Sequence, residues 1–209
     1  MLGREAIEHA GGLLLRGDRS QLGLRFVTNT ETKQRPNLAH FHLTSETGDD
    51  QNETVTTALA LGANHLAFGQ TLDDGHIVLA DPEGNELCVI EPGNNYLAGC
   101  GFFGELACDG SRDVGLFWSN ALGWPLVWDK GEETAIQSLD GGTKISWGGE
   151  AAAPPEVNRR HRFYMVTSDD LEIETERLVL LGAIQPDTRD NQTVILTDPD
   201  GNEFELASH

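Results

Sequence analysis

The chain has 209 residues, a length that allows one or two domains. Its 34 acidic residues against 14 basic ones give a formal net charge of −20. Because nucleic acids and anionic membranes are bound through lysine and arginine, this balance argues against both as partners. We expect a small organic molecule instead, one that is cationic or aromatic, and the alternative is that the charge serves only solubility.

The cysteines indicate the compartment in which the protein works. Cys88, Cys100 and Cys108 are few, odd in number and without a CxxC spacing. This pattern is typical of reduced thiols and not of a disulfide framework. We also expect no signal peptide and no membrane span, since no apolar run approaches the required length. The sequence therefore predicts a cytoplasmic protein.

In the first half of the chain, short apolar runs predict strands around one helix. Residues 1–3 are expected to end a helix, and residues 28–37 to form a loop or an edge strand. A helix is predicted from about residue 50 to a glycine stop at Gly62. Strands are predicted at residues 12–16, 22–27, 38–44, 65–68 and 76–80.

In the second half of the chain, the pattern predicts two helices. The first has apolar residues at i, i+3, i+4 and i+7, from Val114 to Ala121, and stops at Gly123. The second is predicted at residues 171–181, and residues 92–101 are predicted as a linker. Strands are predicted at residues 102–108, 126–128, 134–138, 144–147 and 162–167, followed by two closing strands.

The chain also repeats itself. Residues 81–86 read DPEGNE and residues 198–203 read DPDGNE, each between two apolar runs, which predicts a β-hairpin. The triplet LGA recurs at residues 61–63 and 181–183 at nearly the same offset. Matches in the same order indicate a duplication. We therefore predict two domains, at residues 1–95 and 101–209.

The predicted order β-α-β-β-β, β-α-β-β-β, with its LGA and DP[DE]GNE motifs, resembles the glyoxalase / bleomycin-resistance / extradiol-dioxygenase group, the vicinal oxygen chelate superfamily. The resemblance covers nearly the whole chain. It implies an α+β fold of tandem glyoxalase-like domains, with curved mixed sheets around a cavity and helices outside.

The first copy is shorter than the second. When residues 2–3 are aligned with residues 122–123, the strand and most of the helix at residues 102–120 have no counterpart. Since proteins normally cover sheet edges and apolar faces, we expect a second chain to complete this domain in a homodimer. Residues 13–15 and 22–26 would lie near the interface. The alternative is a start that falls late, inside a once complete domain.

The resemblance further implies where a divalent metal would bind in metal-dependent relatives. The ligand positions correspond to His40 and Phe163 on equivalent strands, and to Cys88 and Glu205 seven residues after each hairpin aspartate. Another lies near Phe103, within about a residue. Because phenylalanine stands where ligands are required, we expect no complete metal site and no cofactor.

A metal in the first domain is the alternative. His40 and His42 share one strand face because side chains alternate. Together with Cys88 they would suit a soft ion such as zinc or copper, or they simply line a polar pocket. These three residues form the predicted first-domain pocket.

In the second domain, Glu205 is the candidate catalytic residue. If Phe163 and Met165 line the same cavity, desolvation would favour its neutral form and make it a general acid or base, with His161 nearby. The alternative is an exposed carboxylate at the cavity mouth. Trp147 would stack on a flat or cationic ligand. The predicted ligand pocket comprises Phe103, Trp147, His161, Phe163, Met165 and Glu205.

These residues favour a glyoxalase-like protein that binds a small molecule without metal, of the drug-sequestering or bleomycin-resistance type, since such a function needs a pocket and no chemistry. The alternative is a metal-dependent enzyme of the superfamily, acting as a lyase, isomerase or dioxygenase on a small organic substrate. A third interpretation is a scaffold in which the first copy serves only assembly.

Overall fold

The computed structural model describes residues 1–9, 12–30, 33, 36–66, 75–149, 161–185 and 193–208. The helices in this part of the chain are α1 (Gly48–Ala60), α2 (Arg112–Leu122) and α3 (Leu171–Leu181). The strands are β1 (Ala6–His9), β2 (Gly12–Leu15), β3 (Leu24–Val27), β4 (Ala39–Leu43), β5 (Asn64–His65), β6 (Ile77–Ala80), β7 (Glu86–Val89), β8 (Phe103–Asp109), β9 (Leu126–Lys130), β10 (Glu133–Gln137), β11 (Lys144–Gly148), β12 (Phe163–Thr167), β13 (Thr193–Thr197) and β14 (Glu203–Ser208).

The chain divides into two compact units. The first comprises residues 1–107 and 137–145, and the second comprises residues 108–136 and 146–209. The units are groups of residues in space, whereas the predicted domains, 1–95 and 101–209, follow the repeat in the sequence. Those boundaries stay a prediction. None of the described helices has the length and the apolar character that crossing a membrane requires.

The repeated DPxGNE phrase forms the same turn twice. In the first copy, the Gly84 amide donates to the Asp81 carbonyl at 2.9 Å, and the Asp81 amide donates to the Asn85 carbonyl at 2.9 Å. The Asp81 carboxylate accepts from the Asn85 amide at 2.8 Å. The turn at residues 198–202 repeats all three bonds. Its glycine has φ 84° and Gly84 has φ 82°, a conformation that favours glycine. Both turns join antiparallel strands, so the predicted hairpins are confirmed.

In the first unit, the order of hydrogen-bonded strands is β5-β6-β7-β4-β8, with β1-β2-β3 as a separate sheet. β4 is parallel to β7, and β6 is antiparallel to it. Helix α1 covers one face, where Val55 and Ala58 pack against Leu79 and Val89. These strands are short and rich in branched apolar residues, and burial of their alternate side chains stabilises the pairing.

The opposite face of this sheet holds a second apolar cluster. Val78, Cys88 and Ile90 pack there with Leu97 and Cys100 from the segment between the repeats. Because successive side chains of a strand point to opposite faces, the residues of β6 and β7 divide between the two clusters. The face turned away from α1 is therefore the one that carries Cys88.

In the second unit, the strand order is β12-β14-β13, and β9 pairs with β10. The predicted apolar stripe of α2 is buried, as the periodicity requires. The ring of Trp118 lies 5.0 Å from that of Phe204, and the ring of Phe117 lies 5.9 Å from it, measured between centroids. Offset and edge-on aromatic packing of this kind forms the centre of the unit.

The chain differs from the prediction in a few places. Residues 1–3 are not helical, and Gly3 has φ 63°, outside the helical region. Strand β1 was not predicted, since its sequence, AIEH, becomes a strand by pairing with β2. The predicted strand at 65–68 is observed only as β5, and residues 67 and 68 lie outside the described residues. In the described part of residues 28–37 there is no strand.

Candidate functional site

Two histidines and a cysteine meet on the face of the first sheet that is turned away from α1. His42 of β4 lies directly opposite Cys88 of β7 in the parallel register. His40 falls on the same face as His42, because side chains alternate along a strand. The structure therefore brings together the three residues of the predicted first-domain pocket.

The three side chains are close enough to share one ion. Their donor atoms, the imidazole nitrogens and the thiol sulfur, all lie within 4.8 Å of one another. The Nε2 atoms of His40 and His42 are 3.0 Å apart. Cys88 is buried and both histidines are half-buried. Within the described part of the chain, no other three His, Cys, Asp or Glu side chains are grouped this closely.

A carboxylate holds the far side of the His42 ring. Oε2 of Glu105, on β8, lies 2.6 Å from Nδ1 of His42. The hydroxyl of Tyr96 donates to Oε1 of the same carboxylate at 2.8 Å. Glu105 is only 3% exposed, so a buried charge is compensated by two strong hydrogen bonds. With Nδ1 engaged by Glu105, it is Nε2 of His42 that faces His40.

A lysine from residues 137–145 of the same unit anchors Tyr96. The ammonium of Lys144 lies 4.1 Å from the centroid of the Tyr96 ring and donates to the Tyr96 carbonyl oxygen. A cation over an aromatic face is attracted by the ring quadrupole. The contacts therefore form a chain that leads outward from the two histidines to Glu105, then to Tyr96 and finally to Lys144.

The electrostatics of the cluster favour a charged His42. Burial alone would lower the pKa of His42, but its hydrogen bonds to Cys88 and Glu105, and the negative charge on these partners, raise it from 6.5 to about 9. The metal-free site therefore carries an imidazolium at neutral pH, between a carboxylate and a sulfur atom. Burial also raises the pKa of the nearby Cys100 thiol.

The donor set fits a divalent metal ion of borderline softness. Two imidazoles and a thiolate are ligands that Zn²⁺ prefers, and catalytic zinc sites use three protein ligands with one open position. Metal-binding histidines commonly donate their second ring nitrogen to a carboxylate, which fixes the tautomer. Glu105 stands in that relation to His42. The three donors and the outer carboxylate have the chemistry that such a site needs.

The predicted second-domain residues are arranged differently. Phe163 lies opposite Phe204, and Met165 opposite Leu206, whereas Glu205 lies opposite Tyr164. Paired residues of parallel strands point to the same face, so Glu205 does not share a face with Phe163 and Met165. The expectation that these three line one cavity is therefore corrected.

Of the aromatic residues of that predicted pocket, Trp147 and Phe103 are buried and Phe163 is half-buried. Trp147 is 2% exposed, and its ring lies 6.2 Å from that of Phe163. The Phe163 ring lies 4.5 Å from that of Trp118, on the side of the unit that packs against α2. His161 is half-buried and lies two residues before β12. Phe103 belongs to the first unit, where it is 1% exposed with its ring 5.0 Å from Phe41.

Three residues of the first-unit site were missed in the sequence. Glu105 lies two positions after Phe103, where a ligand was expected within about a residue, and it stands alone among apolar neighbours in its strand. A carboxylate in such a strand must find a buried partner, and this signal was available. Tyr96 and Lys144 come from a loop and from a distant strand, and no local pattern marks them.

A cavity of about 770 Å³ also lies in the first unit, between the start of α1 and residues 90–102. Ile90 and Leu97 line it, and the same two side chains pack against Cys88 in the apolar cluster. Its volume is in the range of pockets that hold small organic molecules, roughly 300–1,000 Å³.

Comparisons with known proteins agree with this architecture. The profile of the family described as "Glyoxalase-like domain" matches residues 2–90 and 105–207. The chain belongs to this glyoxalase-like family, and with it to the vicinal oxygen chelate superfamily. The predicted fold class, mixed α+β with two glyoxalase-like segments, is confirmed. No curated protein matches the chain in sequence.

Solved structures show the same fold at low identity. Glyoxalase I from Zea mays is 14% identical with a TM-score of 0.59, covering 94% of this chain and 77% of that one. A candidate dioxygenase from Bacillus subtilis is 13% identical with a TM-score of 0.58, covering 99% of this chain and 77% of that one. At such identity, the likeness extends to the fold alone.

Proposed function

We propose that this glyoxalase-like protein binds a thiophilic divalent cation through His40, His42 and Cys88, and uses it to bind and activate a small organic substrate. The observation that carries the proposal is the convergence of the three donor atoms within 4.8 Å, with Glu105 on the far nitrogen of His42. Sequence alone favoured a binding protein without metal. The geometry of β4 and β7 supports the metal-dependent alternative.

The residues of the site have separate tasks in this proposal. His40, His42 and Cys88 would hold the ion, which supplies Lewis-acid polarisation of a substrate oxygen. Glu105 holds the His42 ring in one orientation and keeps the proton on Nδ1, so that the lone pair of Nε2 is available. The apolar side chains around Cys88, such as Val78 and Ile90, exclude water from the thiolate side.

The donor set also bears on the class of reaction. Iron-dependent oxygenases commonly use two histidines and a carboxylate as direct ligands. Here the carboxylate stands behind a histidine, and sulfur takes the third position. A cation without redox chemistry, such as Zn²⁺, suits these ligands. We therefore favour a lyase or isomerase over a dioxygenase within the superfamily.

Metal content tests the proposal directly. Protein purified without added metal is analysed for its elements, and the metal-free protein is titrated with Co²⁺ while thiolate-to-cobalt absorption is followed. We expect one equivalent in the wild type. Removing an outer partner of a metal ligand weakens metal binding by at most about 100-fold. Cys88→Ser removes a direct ligand, so it should weaken Co²⁺ binding by more than this.

Cys108→Ser is the matched control, since Cys108 belongs to the second unit. Its Co²⁺ titration should equal that of the wild type. Cobalt binding that persists unchanged in Cys88→Ser, or a spectrum with no sulfur ligand, would refute the proposed site.

A further inference from the structure

A tyrosine from the segment between the two repeats reaches the site through a carboxylate. The Tyr96 hydroxyl donates to Oε1 of Glu105 at 2.8 Å, and Oε2 of Glu105 lies 2.6 Å from Nδ1 of His42. We propose that Tyr96 is a positioning residue, which fixes Glu105 and through it the ring of His42. Nε2 of His42 then keeps its direction toward His40 and Cys88. The effect on metal affinity rests on the proposed function, whereas the effect on the ring does not.

The argument starts from the freedom of a glutamate. The terminal torsion of glutamate has a broad energy minimum, so a single contact with His42 leaves the carboxylate able to rotate. A second partner on the other oxygen removes that freedom. Glu105 is 3% exposed, so bulk water does not reach it as a replacement partner. The Tyr96 hydroxyl is therefore a group that helps to fix the orientation of the carboxylate.

Tyr96 is itself held from several directions. Lys144 donates to its carbonyl oxygen and lies 4.1 Å from its ring centroid. The next residue, Leu97, donates its amide to the side chain of Asn94 at 3.1 Å and accepts from the Cys100 amide at 3.1 Å. The Tyr96 ring packs against the apolar cluster around Cys88. An anchored hydroxyl can position another group, whereas a mobile one cannot.

The segment between the repeats therefore has a role beyond joining them. Residues 92–101 carry the tyrosine that sets the outer partner of a histidine on β4. Outer partners of metal-binding histidines commonly change metal affinity by about 10–100-fold when they are removed. Tyr96 stands one bond further out than Glu105, so we expect its effect to be near the lower end of this range.

Tyr96→Phe tests the proposal, because it removes only the hydroxyl and leaves the ring under Lys144. Co²⁺ affinity is measured by competition with a chromophoric chelator. We expect roughly 10-fold weaker binding in Tyr96→Phe and at least as large a loss in Glu105→Gln. Tyr164→Phe, the same change in the second unit, should bind as the wild type does. Melting curves check that each variant is folded.

A second measurement uses the metal-free protein. The Nδ1 proton of His42 in a short bond to a carboxylate resonates far downfield, and ¹⁵N-labelled histidine identifies it. We expect this proton to move upfield and to exchange faster with water in Tyr96→Phe but not in Tyr164→Phe. This readout reports the ring orientation and does not depend on any metal.

The outcomes separate the two claims. If the wild type binds no Co²⁺, the proposed function fails, and the His42 proton alone decides whether Tyr96 positions the ring. If the wild type binds Co²⁺ and Tyr96→Phe binds it equally well, the positioning role is overturned while the metal site stands. Should Tyr96→Phe fail to fold, Glu105→Gln is used instead, and its Co²⁺ affinity and His42 proton signal decide. That variant breaks the chain of hydrogen bonds from Tyr96 to His42 at the residue between them.

Discussion

The strand pairs β4–β7 and β12–β14 occupy equivalent places in the two copies, but the register of β12 differs by one residue from the register that matching the two copies in sequence predicts. In the first pair His42 lies opposite Cys88, and in the second Tyr164 lies opposite Glu205. Glu205 is the counterpart of Cys88 in the repeated hairpin. The counterpart of His42 in the structure is therefore Tyr164, whereas sequence matching gives Met165.

This difference teaches that strand register decides which chemistry a repeat can have. A slip of one residue moves every side chain of a strand to the other face. The face that carries Glu205 thus also carries Arg162 and Tyr164, and the bond from Arg162 to Glu203 at 2.5 Å agrees with that placement. A guanidinium has no lone pair for a metal ion. On the described strands β12 and β14, the face of Glu205 consequently lacks the donor set of the first unit.

The packing of the helix faces gives a physical reason for the slip. In the second unit, Trp118 of α2 contacts Phe163 and Phe204, with ring centroids 4.5 and 5.0 Å away. Turning Phe163 to the other face would take a large ring out of this aromatic core. In the first unit, this face is covered by α1, the counterpart of α3 and not of α2, with the smaller Val55 and Ala58. Burial of aromatic surface therefore favours the slipped register.

The largest expected effect comes from building the first site into the second unit. R162H/Y164H places two imidazoles on the face of Glu205, at the positions that correspond to His40 and His42. We expect Co²⁺ stoichiometry to rise from one equivalent to two. F163H/M165H is the matched control, since it puts the same imidazoles on the core face. If the control gains the second equivalent and R162H/Y164H does not, the register comparison is wrong.

The next effect concerns stability. Phe163→Ala should lower the free energy of unfolding by somewhat less than the about 3–5 kcal/mol typical of a fully buried phenylalanine, because it empties space beside Trp118 and Phe204 but its ring is only half-buried. Arg162→Ala, one residue earlier on the exposed face, should cost less than about 1 kcal/mol, as is usual for an exposed ion pair. Urea denaturation measures both. A larger loss in Arg162→Ala than in Phe163→Ala would contradict the observed faces.

Much of the fold could be predicted from the sequence, because local patterns carried it. The range of α3 was predicted to the residue, from Leu171 to Leu181, and both hairpins follow from their turn residues. The ends of α2 agree with its apolar stripe and with the stop at Gly123. These features depend on neighbours in the chain, and such neighbours are visible in the sequence.

The candidate site could be predicted only in part. His40, His42 and Cys88 were predicted as one pocket. Side chains alternate along a strand, which puts both histidines on one face, and Cys88 lies seven residues after the hairpin aspartate. Glu105 could not be assigned, because nothing in the sequence states that β8 of the second copy lies beside β4 of the first. The register of β12 was mispredicted for a similar reason. It places Phe163 against Trp118, a residue that is far from β12 in the sequence.

The third prediction concerns the first unit, where the protonation of His42 should make the free energy of unfolding depend on pH. Cys88 and Glu105 raise the pKa of His42 to about 9 in the folded protein, above its ordinary value of 6.5. The folded state therefore binds the proton more tightly. This stabilisation is fully present below pH 6.5 and is lost as the pH rises to about 9. It amounts to at most about 3 kcal/mol.

Urea unfolding of the metal-free protein between pH 6 and pH 9.5 measures this effect. The free energy of unfolding should fall across the window in the wild type, and His42→Gln should flatten the fall. Burial raises the pKa of the Cys100 thiol above 9.0, so Cys100 adds a fall of the same sign at the upper end of the window. His42→Gln keeps this contribution, and the difference between the two curves therefore reports His42. Co²⁺ binding should strengthen over the same window, since the proton competes for Nε2. Stability that rises with pH in the wild type would contradict the assignment.

The smallest expected effect compares the caps of α1 and α3, the equivalent helices of the two copies. The Thr47 hydroxyl accepts from the Asp50 amide at 3.1 Å. The Asp170 carboxylate accepts from two amides, those of Glu172 at 2.9 Å and Ile173 at 3.2 Å, and its charge lies at the positive end of the helix dipole. Asp170→Ala should therefore lower the free energy of unfolding by about 1–2 kcal/mol and Thr47→Ala by about 0.5–1 kcal/mol. Thr47→Ser and Asp170→Asn keep a capping oxygen and should recover most of each loss.

Hydrogen exchange shows in which helix the stability is lost, because removing a cap frays the first turn of that helix before the rest of the protein unfolds. The amides of α1 should exchange faster only in Thr47→Ala, and those of α3 only in Asp170→Ala. Equal losses in the two alanine variants, with exchange unchanged in both helices, would show that the caps do not distinguish the copies.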